Sequence, residues 1–192
     1  MSLDFLSPAP GAIARSPMER QALAAGARLE LRNGWNVAVA FDGEHDRPVG
    51  FADLSHLTKL EIQGGEPLEL GRAVRSGGAW WCPYTAERTL VVGEPEPIEG
   101  AIDITCAYAA LAVVGPQARE LFARFTALDL RPHVTPVGAF RPGSVARTPG
   151  AILREAEDRY LMLFGAALGE YMWSVVADAA ARLGGGPVGV DA

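Results

Sequence analysis

Apolar and polar positions alternate along Trp35-Asn36-Val37-Ala38-Val39-Ala40-Phe41, the period-two pattern of a half-buried strand. The polar run Asp42-Gly43-Glu44-His45-Asp46 follows as a turn. Residues 51–62 contain a second strand region that ends at Gln63-Gly64-Gly65, and Pro67 is placed to open a helix with Leu70 and Val74 on one face. Residues 80–84 and 89–92 predict a strand pair, and the proline-spaced acidic run at 94–100 reads as a connector. Beyond it, the apolar residues 107–114 predict a buried strand. Pro116 then opens a helix with Ala118, Leu121, Phe122 and Phe125 at helical spacing. Residues 131–149 are rich in Pro and Gly and predict irregular or edge structure. A strand is expected at 160–164. A helix is expected at 170–183, striped by Met172, Val175, Val176, Ala179 and Leu183 and stopped by Gly184-Gly185-Gly186-Pro187.

Upstream, residues 7–17 are rich in Pro, Ala and Gly and read as part of an extended arm, placed at 1–16. Ser16-Pro17-Met18-Glu19 has the form of a capping box, predicting a short helix to about Ala25. The rest, 17–192, reads as one domain with two internal halves, about 35–93 and 101–183. Asp53-Leu54-Ser55-His56 leads into Leu60-Glu61-Ile62-Gln63-Gly64, as Asp103-Ile104-Thr105-Cys106 leads into Leu111-Ala112-Val113-Val114-Gly115. Glu87-Arg88-Thr89-Leu90-Val91-Val92 matches Asp158-Arg159-Tyr160-Leu161-Met162-Leu163 in the same way. The expected fold class is therefore α+β, two duplicated α/β units with antiparallel sheets in a pseudo-twofold arrangement. Asp53, Ser55, Asp103 and Thr105 are expected as structural turn residues, whose side-chain oxygens satisfy nearby backbone N–H groups.

Composition narrows the function. A chain of 192 residues with net charge −6 and 49% hydrophobic residues suits one soluble domain. Its acidity disfavours nucleic acid and anionic membrane surfaces as partners. The first ten residues lack the pattern of a signal peptide, and the apolar run 107–114 is too short to cross a bilayer, so a cytoplasmic location is expected. The two cysteines, Cys82 and Cys106, form no CxxC pair; neither a disulfide framework nor a zinc site is expected, and both read as buried small residues. The three histidines, His45, His56 and His133, have no metal-ligand spacing, and no metal is expected. Ser55 and His56 are adjacent on an extended chain, so they point apart and do not make a nucleophile–base pair. No GxGxxG is present, which disfavours flavin or NAD binding by this chain. Trp80, Trp81 and Tyr84 form one aromatic cluster. Adjacent strand residues face opposite ways, so one indole is expected in the core and the other at an interface or ligand. Trp173 falls one position off the apolar stripe of its helix and is expected at the core edge or an interface.

One ordered series carries a resemblance. Gly50-Phe51-Ala52-Asp53-Leu54-Ser55-His56 comes first, with Lys59-Leu60-Glu61-Ile62-Gln63-Gly64. Ala110-Leu111-Ala112-Val113-Val114-Gly115-Pro116-Gln117-Ala118 follows, then residues 160–163 and 169–173, and last Gly186-Pro187-Val188-Gly189-Val190-Asp191-Ala192. The series, spread over about 35–192, resembles the folate-binding domain of the glycine cleavage T-protein (aminomethyltransferase) superfamily. In that family the last piece leads on to a C-terminal barrel, which the resemblance places outside this chain. Within the superfamily the chain is most similar to the small gamma subunit of heterotetrameric sarcosine oxidase, in length and in the opening from Gly34-Trp35-Asn36 to Asp53-Leu54-Ser55-His56. The resemblance implies larger flavin-binding partner subunits that oxidise the N-methyl group of sarcosine and pass the one-carbon unit to tetrahydrofolate.

T-proteins hold an essential Asp before the strand corresponding to Leu90. Here residues 75–84 contain no carboxylate, and Glu87 is the one acid before that strand. The family's second acid lies in a Thr-Gly-Glu loop; residues 147–158 lack the triplet, with Glu155 as its nearest stand-in. These departures imply an accessory subunit with no catalytic residue and no cofactor of its own. The alternative is a stand-alone folate-binding protein or minimal tetrahydrofolate-dependent aminomethyltransferase. Trp80, Trp81, Tyr84, Glu155 and Trp173 are the candidate folate-pocket or interface residues. A third reading is a general interaction domain.

Overall fold

The computed structural model describes residues 11–43, 47–64 and 68–192. Most of the expected arm at 1–16, the Glu44-His45-Asp46 part of the polar turn and Pro67 lie outside them. Among the described residues the chain forms fourteen strands in three sheets and three α-helices. β1 (Ala14–Arg15) lies parallel to β3 (Trp35–Ala40), which pairs on its other side with β2 (Arg28–Arg32). α1 (Glu19–Ala24) stands between β1 and β2. A six-stranded sheet runs in the order β11 (Phe140–Val145), β12 (Thr148–Ala156), β13 (Arg159–Gly165), β10 (Tyr108–Val114), β4 (Gly50–Asp53), β14 (Gly186–Pro187). A five-stranded sheet runs β6 (Val74–Ser76), β7 (Ala79–Thr85), β8 (Arg88–Gly93), β5 (Thr58–Gln63), β9 (Ile102–Asp103). α2 (Ala118–Phe122) and α3 (Gly169–Ala181) complete the fold.

The six-stranded sheet is buried on both faces. On one, Leu111, Val113, Ile152, Met162 and Phe164 pack with Met172 and Val176 of α3 and Leu121 and Phe122 of α2. On the other, Ala52, Ala110, Ala112, Ala151, Leu153 and Leu163 meet Cys82, Leu90 and Val92 of the five-stranded sheet. Four of these inter-sheet contacts are alanines, so the two sheets approach closely there, while the bulky side chains fill the space under the helices. This explains why β10 reads as an unbroken apolar run: a strand covered on both sides has no solvent face to alternate with.

Two turns tie the sheets together through matched bonds. Asp53 Oδ1 accepts the Ser55 N–H (2.9 Å), and Asp103 Oδ1 accepts the Thr105 N–H (2.8 Å). Ser55 Oγ accepts the Ala110 N–H (3.3 Å), as Thr105 Oγ1 accepts the Lys59 N–H (3.0 Å). Leu54 N–H donates to Ala110 O and Ile104 N–H to Lys59 O, both at 2.9 Å. Asp53 stands opposite Leu111 in the six-stranded sheet, and Asp103 opposite Leu60 in the five-stranded sheet. The hairpins β7–β8 and β12–β13 each carry one irregularity, at Tyr84 and at Glu155.

Three expectations need correction. No helix follows Pro67. Gly71 adopts φ +85°, and its carbonyl accepts the Phe140 N–H and Arg141 Nη1, so the segment is an irregular bridge between the sheets. Ser16 and Glu19 do not form a reciprocal capping box: Ser16 Oγ accepts the Met18 N–H and donates to Asp53, while Glu19 pairs with Arg15. The irregular or edge structure expected at 131–149 fits β11, the edge strand of its sheet, but Thr148 and Pro149 open the nine-residue strand β12, which is paired on both edges.

Candidate functional site

Where the two large sheets splay apart, β7, β10, β11, β12 and the end of β13 leave a cleft of about 550 Å³. Tyr84 and Tyr108 form its inner wall, Pro142 and Pro149 its rim, and Gly143, Gly150 and Gly165 bare backbone between them; Leu168 closes one side. A narrow recess of about 70 Å³ continues past the same two tyrosines to Glu61, Arg88 and Ile104. The volume of the main cleft falls within the range of small-molecule pockets.

Each wall residue is placed by local backbone. Tyr84 sits where the register between β7 and β8 shifts, which turns its ring inward, edge-on to Phe140 at 5.3 Å between centroids. Tyr108 is the first residue of β10, directly after the turn held by Asp103. Burial pushes the Tyr84 phenol up to about 12, with the neighbouring Tyr108 adding to the rise. Among the described residues neither phenol has a hydrogen-bond partner in the protein, so both hydroxyls are available to a ligand. The single carboxylate at the recess, Glu61, is bound by the Arg88 guanidinium, which holds its pKa below the usual carboxylate range. The cleft can thus stack a flat group and hydrogen-bond to it. Among the described residues its lining contains no unpaired carboxylate, imidazole or thiol to move a proton.

The five candidate residues do not gather in one place. Tyr84 lines the cleft. Trp80 and Trp81 are both half-buried and face opposite ways: Trp80 packs toward the inter-sheet core under the Arg75 guanidinium (5.7 Å), and Trp81 lies opposite Val74. Glu155, at the equivalent irregularity to Tyr84, is ion-paired with Arg159 at 3.2 Å. Trp173 is 6% exposed, its indole packed against Phe51 and Phe41 in the core. Tyr108 was not a candidate from the sequence, where it only opens an apolar run.

The four turn residues behave unequally. Asp53 is buried, and desolvation raises its pKa despite hydrogen bonds from Ser16 and Ser55; Asp103 is exposed. Lys59, the chain's one lysine, is fully buried. Its Nζ donates to Ser55 O (2.7 Å) and Leu57 O (2.9 Å), and burial lowers its pKa to about 8, against the pull of Asp53. Cys82 is buried, and desolvation pushes its thiol well above the ordinary range; Cys106, expected to be buried, is exposed because its 3-10 turn lies at the sheet margin.

A second cavity, about 330 Å³, is lined by Trp35, His56, Glu94, Asp103, Thr105 and Cys106 among others. Burial, with the Lys59 and Arg32 cations, lowers the His56 pKa to about 4. The unfolded chain therefore binds the proton first as pH falls, and the stability His56 contributes is complete above about 6.5 and is lost toward pH 4. His56→Gln is expected to remove about 1–2 kcal/mol of acid-side destabilisation, a figure reduced for partial exposure. Urea unfolding of both proteins at pH 7 and pH 4.5 measures it; an unchanged difference between the two pH values refutes it.

No family profile matches the sequence, and no curated protein matches it by sequence. Among solved structures, a chain of the heterotetrameric sarcosine oxidase from Corynebacterium sp. U-96, in complex with pyrrole 2-carboxylate, superposes with TM-score 0.70 at 19% identity. The match covers 89% of this chain and 96% of that one. The glycine cleavage system aminomethyltransferase T from Bartonella henselae superposes with TM-score 0.72 at 15% identity, over 93% of this chain and 60% of that one. This chain thus spans less than two thirds of the aminomethyltransferase. At these identities the shared property is the fold: a mixed α+β architecture similar to that of the T-protein.

Proposed function

We propose that this chain is a non-catalytic accessory subunit, of the gamma type, in a sarcosine-oxidase-like assembly whose larger flavin-binding subunits carry the chemistry. The make-up of the cleft carries the reading. Its walls are phenol, proline, glycine and Leu168, and its one carboxylate is taken by Arg88. Aminomethyl transfer needs a free carboxylate to hold or polarise an amine or folate nitrogen. Glu155, the remaining candidate, is engaged by Arg159. Overlap with 96% of one chain of a heterotetrameric oxidase supports the same reading. It includes Trp81 as an interface residue and a cytoplasmic location. It also includes an internal duplication of halves 35–93 and 101–183 about a pseudo-twofold axis. The exchanged turn bonds and the paired irregularities at Tyr84 and Glu155 support the duplication.

A second reading is favoured by the two unpartnered phenols in a pocket-sized cleft: a stand-alone folate-binding protein or minimal tetrahydrofolate-dependent aminomethyltransferase. The isolated chain separates the two. Incubated with tetrahydrofolate and an N-methyl or aminomethyl substrate, it is expected to show no turnover; turnover abolished by Tyr84→Ala overturns the accessory reading. Calorimetric binding of tetrahydrofolate without turnover, lost in Tyr84→Ala, favours the folate-binding alternative.

A further inference from the structure

We propose that Asn33 is a site of spontaneous covalent modification, where the Gly34 backbone nitrogen attacks the Asn33 side-chain amide and converts it, with loss of ammonia, into an aspartyl or isoaspartyl residue. The chain holds two asparagines, Asn33 and Asn36, and the fold sets them in opposite conditions. Asn33 and Gly34 are the two residues of the β2–β3 turn, both exposed, at φ 49° and 80°. Among the described residues the Asn33 side chain makes no hydrogen bond and the Gly34 N–H donates none, so the carbon under attack and the attacking nitrogen are both uncommitted. Glycine has no side chain to shield that nitrogen, and a Cβ built on Gly34 would meet nothing within 4 Å. Asn36 lies inside β3, half-buried, opposite Leu31 of β2 and Arg15 of β1. The residue after it is Val37, β-branched and 2% exposed, so attack from that nitrogen is blocked.

The reaction needs no partner but water. A bond forms between Gly34 N and Asn33 Cγ, the Cγ–Nδ2 bond breaks, and ammonia leaves with the proton given up by the Gly34 amide. The product is a five-membered cyclic imide, which water opens at either carbonyl. Opening at Cγ restores the main chain and leaves an ordinary side-chain carboxylate. Opening at the Asn33 backbone carbonyl leaves the chain running through the former side-chain carbon, an isoaspartyl linkage one methylene longer. Either product adds one negative charge to a chain whose net charge is already −6.

The surroundings make this position consequential. Gly34 O accepts the Ala14 N–H (2.8 Å), where the pairing of β1 with β3 begins, so an added methylene at the turn displaces β1 as well as the hairpin. The new carboxylate directly follows Arg32, and it competes with Asp191, which holds that guanidinium at 2.5 and 2.7 Å. Asn33 also borders the cavity of His56, Glu94 and Asp103, which thereby gains a third carboxylate. Modification therefore loosens the attachment of β1 slowly and in one direction as the protein ages. This inference is independent of the accessory-subunit reading.

The test incubates the purified full chain in mildly alkaline buffer beside a synthetic peptide of residues 31–37 and follows both asparagines by peptide mass spectrometry. Asn33 is expected to convert within about 10-fold of the free peptide's rate, and at least about 10-fold faster than Asn36, a gap that a lost backbone hydrogen bond and an unshielded nitrogen together account for. Exchange of the Ala14 amide with solvent deuterium is expected to be about threefold faster in the aged protein than in the fresh one. It is expected to stay unchanged in Asn33→Gln incubated in the same way, because glutamine would have to close a six-membered ring. Asn33 left intact after the peptide has fully converted, or Asn36 modified as fast as Asn33, overturns the proposal. Conversion of Asn33 with Ala14 exchange unchanged upholds the site and overturns its link to β1.

Discussion

Asp53→Ala is expected to lower stability by about 2–4 kcal/mol, and Asp103→Ala by about 1 kcal/mol, although the two side chains make the same bond in matching turns. Their surroundings account for the gap. Asp103 is exposed, so water can replace what its carboxylate does for the Thr105 N–H. Asp53 is buried and accepts bonds from both the Ser55 N–H and the Ser16 hydroxyl, which anchors the entry to α1. It also supplies the negative charge facing Lys59, a cation with no solvent contact. Removing it orphans two donors and takes away that Coulombic pull, while Lys59 Nζ keeps its bonds to Ser55 O and Leu57 O. For a chain of this size the loss corresponds to a fall of roughly 10 °C in Tm. Thermal and urea unfolding of the two variants side by side checks it; equal losses would mean that burial of the first turn contributes nothing.

Trp173→Ala is expected to cost about 3–5 kcal/mol, the range for emptying a large aromatic site in a core. The indole packs edge-on against Phe51 at 5.0 Å and tilted against Phe41 at 6.3 Å, between α3 and the sheet face beneath it. Collapse of the site is limited, because β4 and α3 are both held by their own backbone bonds. Tyr84→Ala, by contrast, truncates a half-buried cleft residue and is expected to cost about 1–2 kcal/mol. Calorimetric melts rank the pair. A Trp173→Ala protein as stable as Tyr84→Ala would place the indole outside the core.

How far the sequence spoke depended on whether a feature was local. The stripe of α3 is legible because its face meets one environment along its length, whereas β3, expected as half-buried, buries Val37, Ala38 and Val39 in succession. The Asp-x-Ser and Asp-x-Thr turns are legible because the carboxylate acts on a backbone group two residues away. The hairpin β2–β3 has a local signal in Asn33-Gly34, both at positive φ. The hairpin β11–β12 turns through Ala146 and Arg147, also at positive φ, and neither residue type announces such a turn. The helix expected after Pro67 failed because the carbonyl of Gly71 is claimed by residues about seventy positions away.

The cleft divided in the same way. Tyr84 stood out through its aromatic neighbours, whereas Tyr108 joins it only because two sheets stack with a chosen register. Trp80 and Trp81 were separable by strand geometry, but which faces the core depends on the sheet packed beneath them.

The central claim is that this fold serves assembly and performs no chemistry of its own. The most direct measurement is the oxidation rate of an N-methyl amine by the larger flavin-bearing subunits, prepared with and without this chain, alongside light scattering of the mixture. The account predicts one co-eluting complex, loss of complex integrity without the chain, and no turnover by the chain alone. Separate elution of the chain from those subunits, or turnover by the chain in their absence, would contradict it.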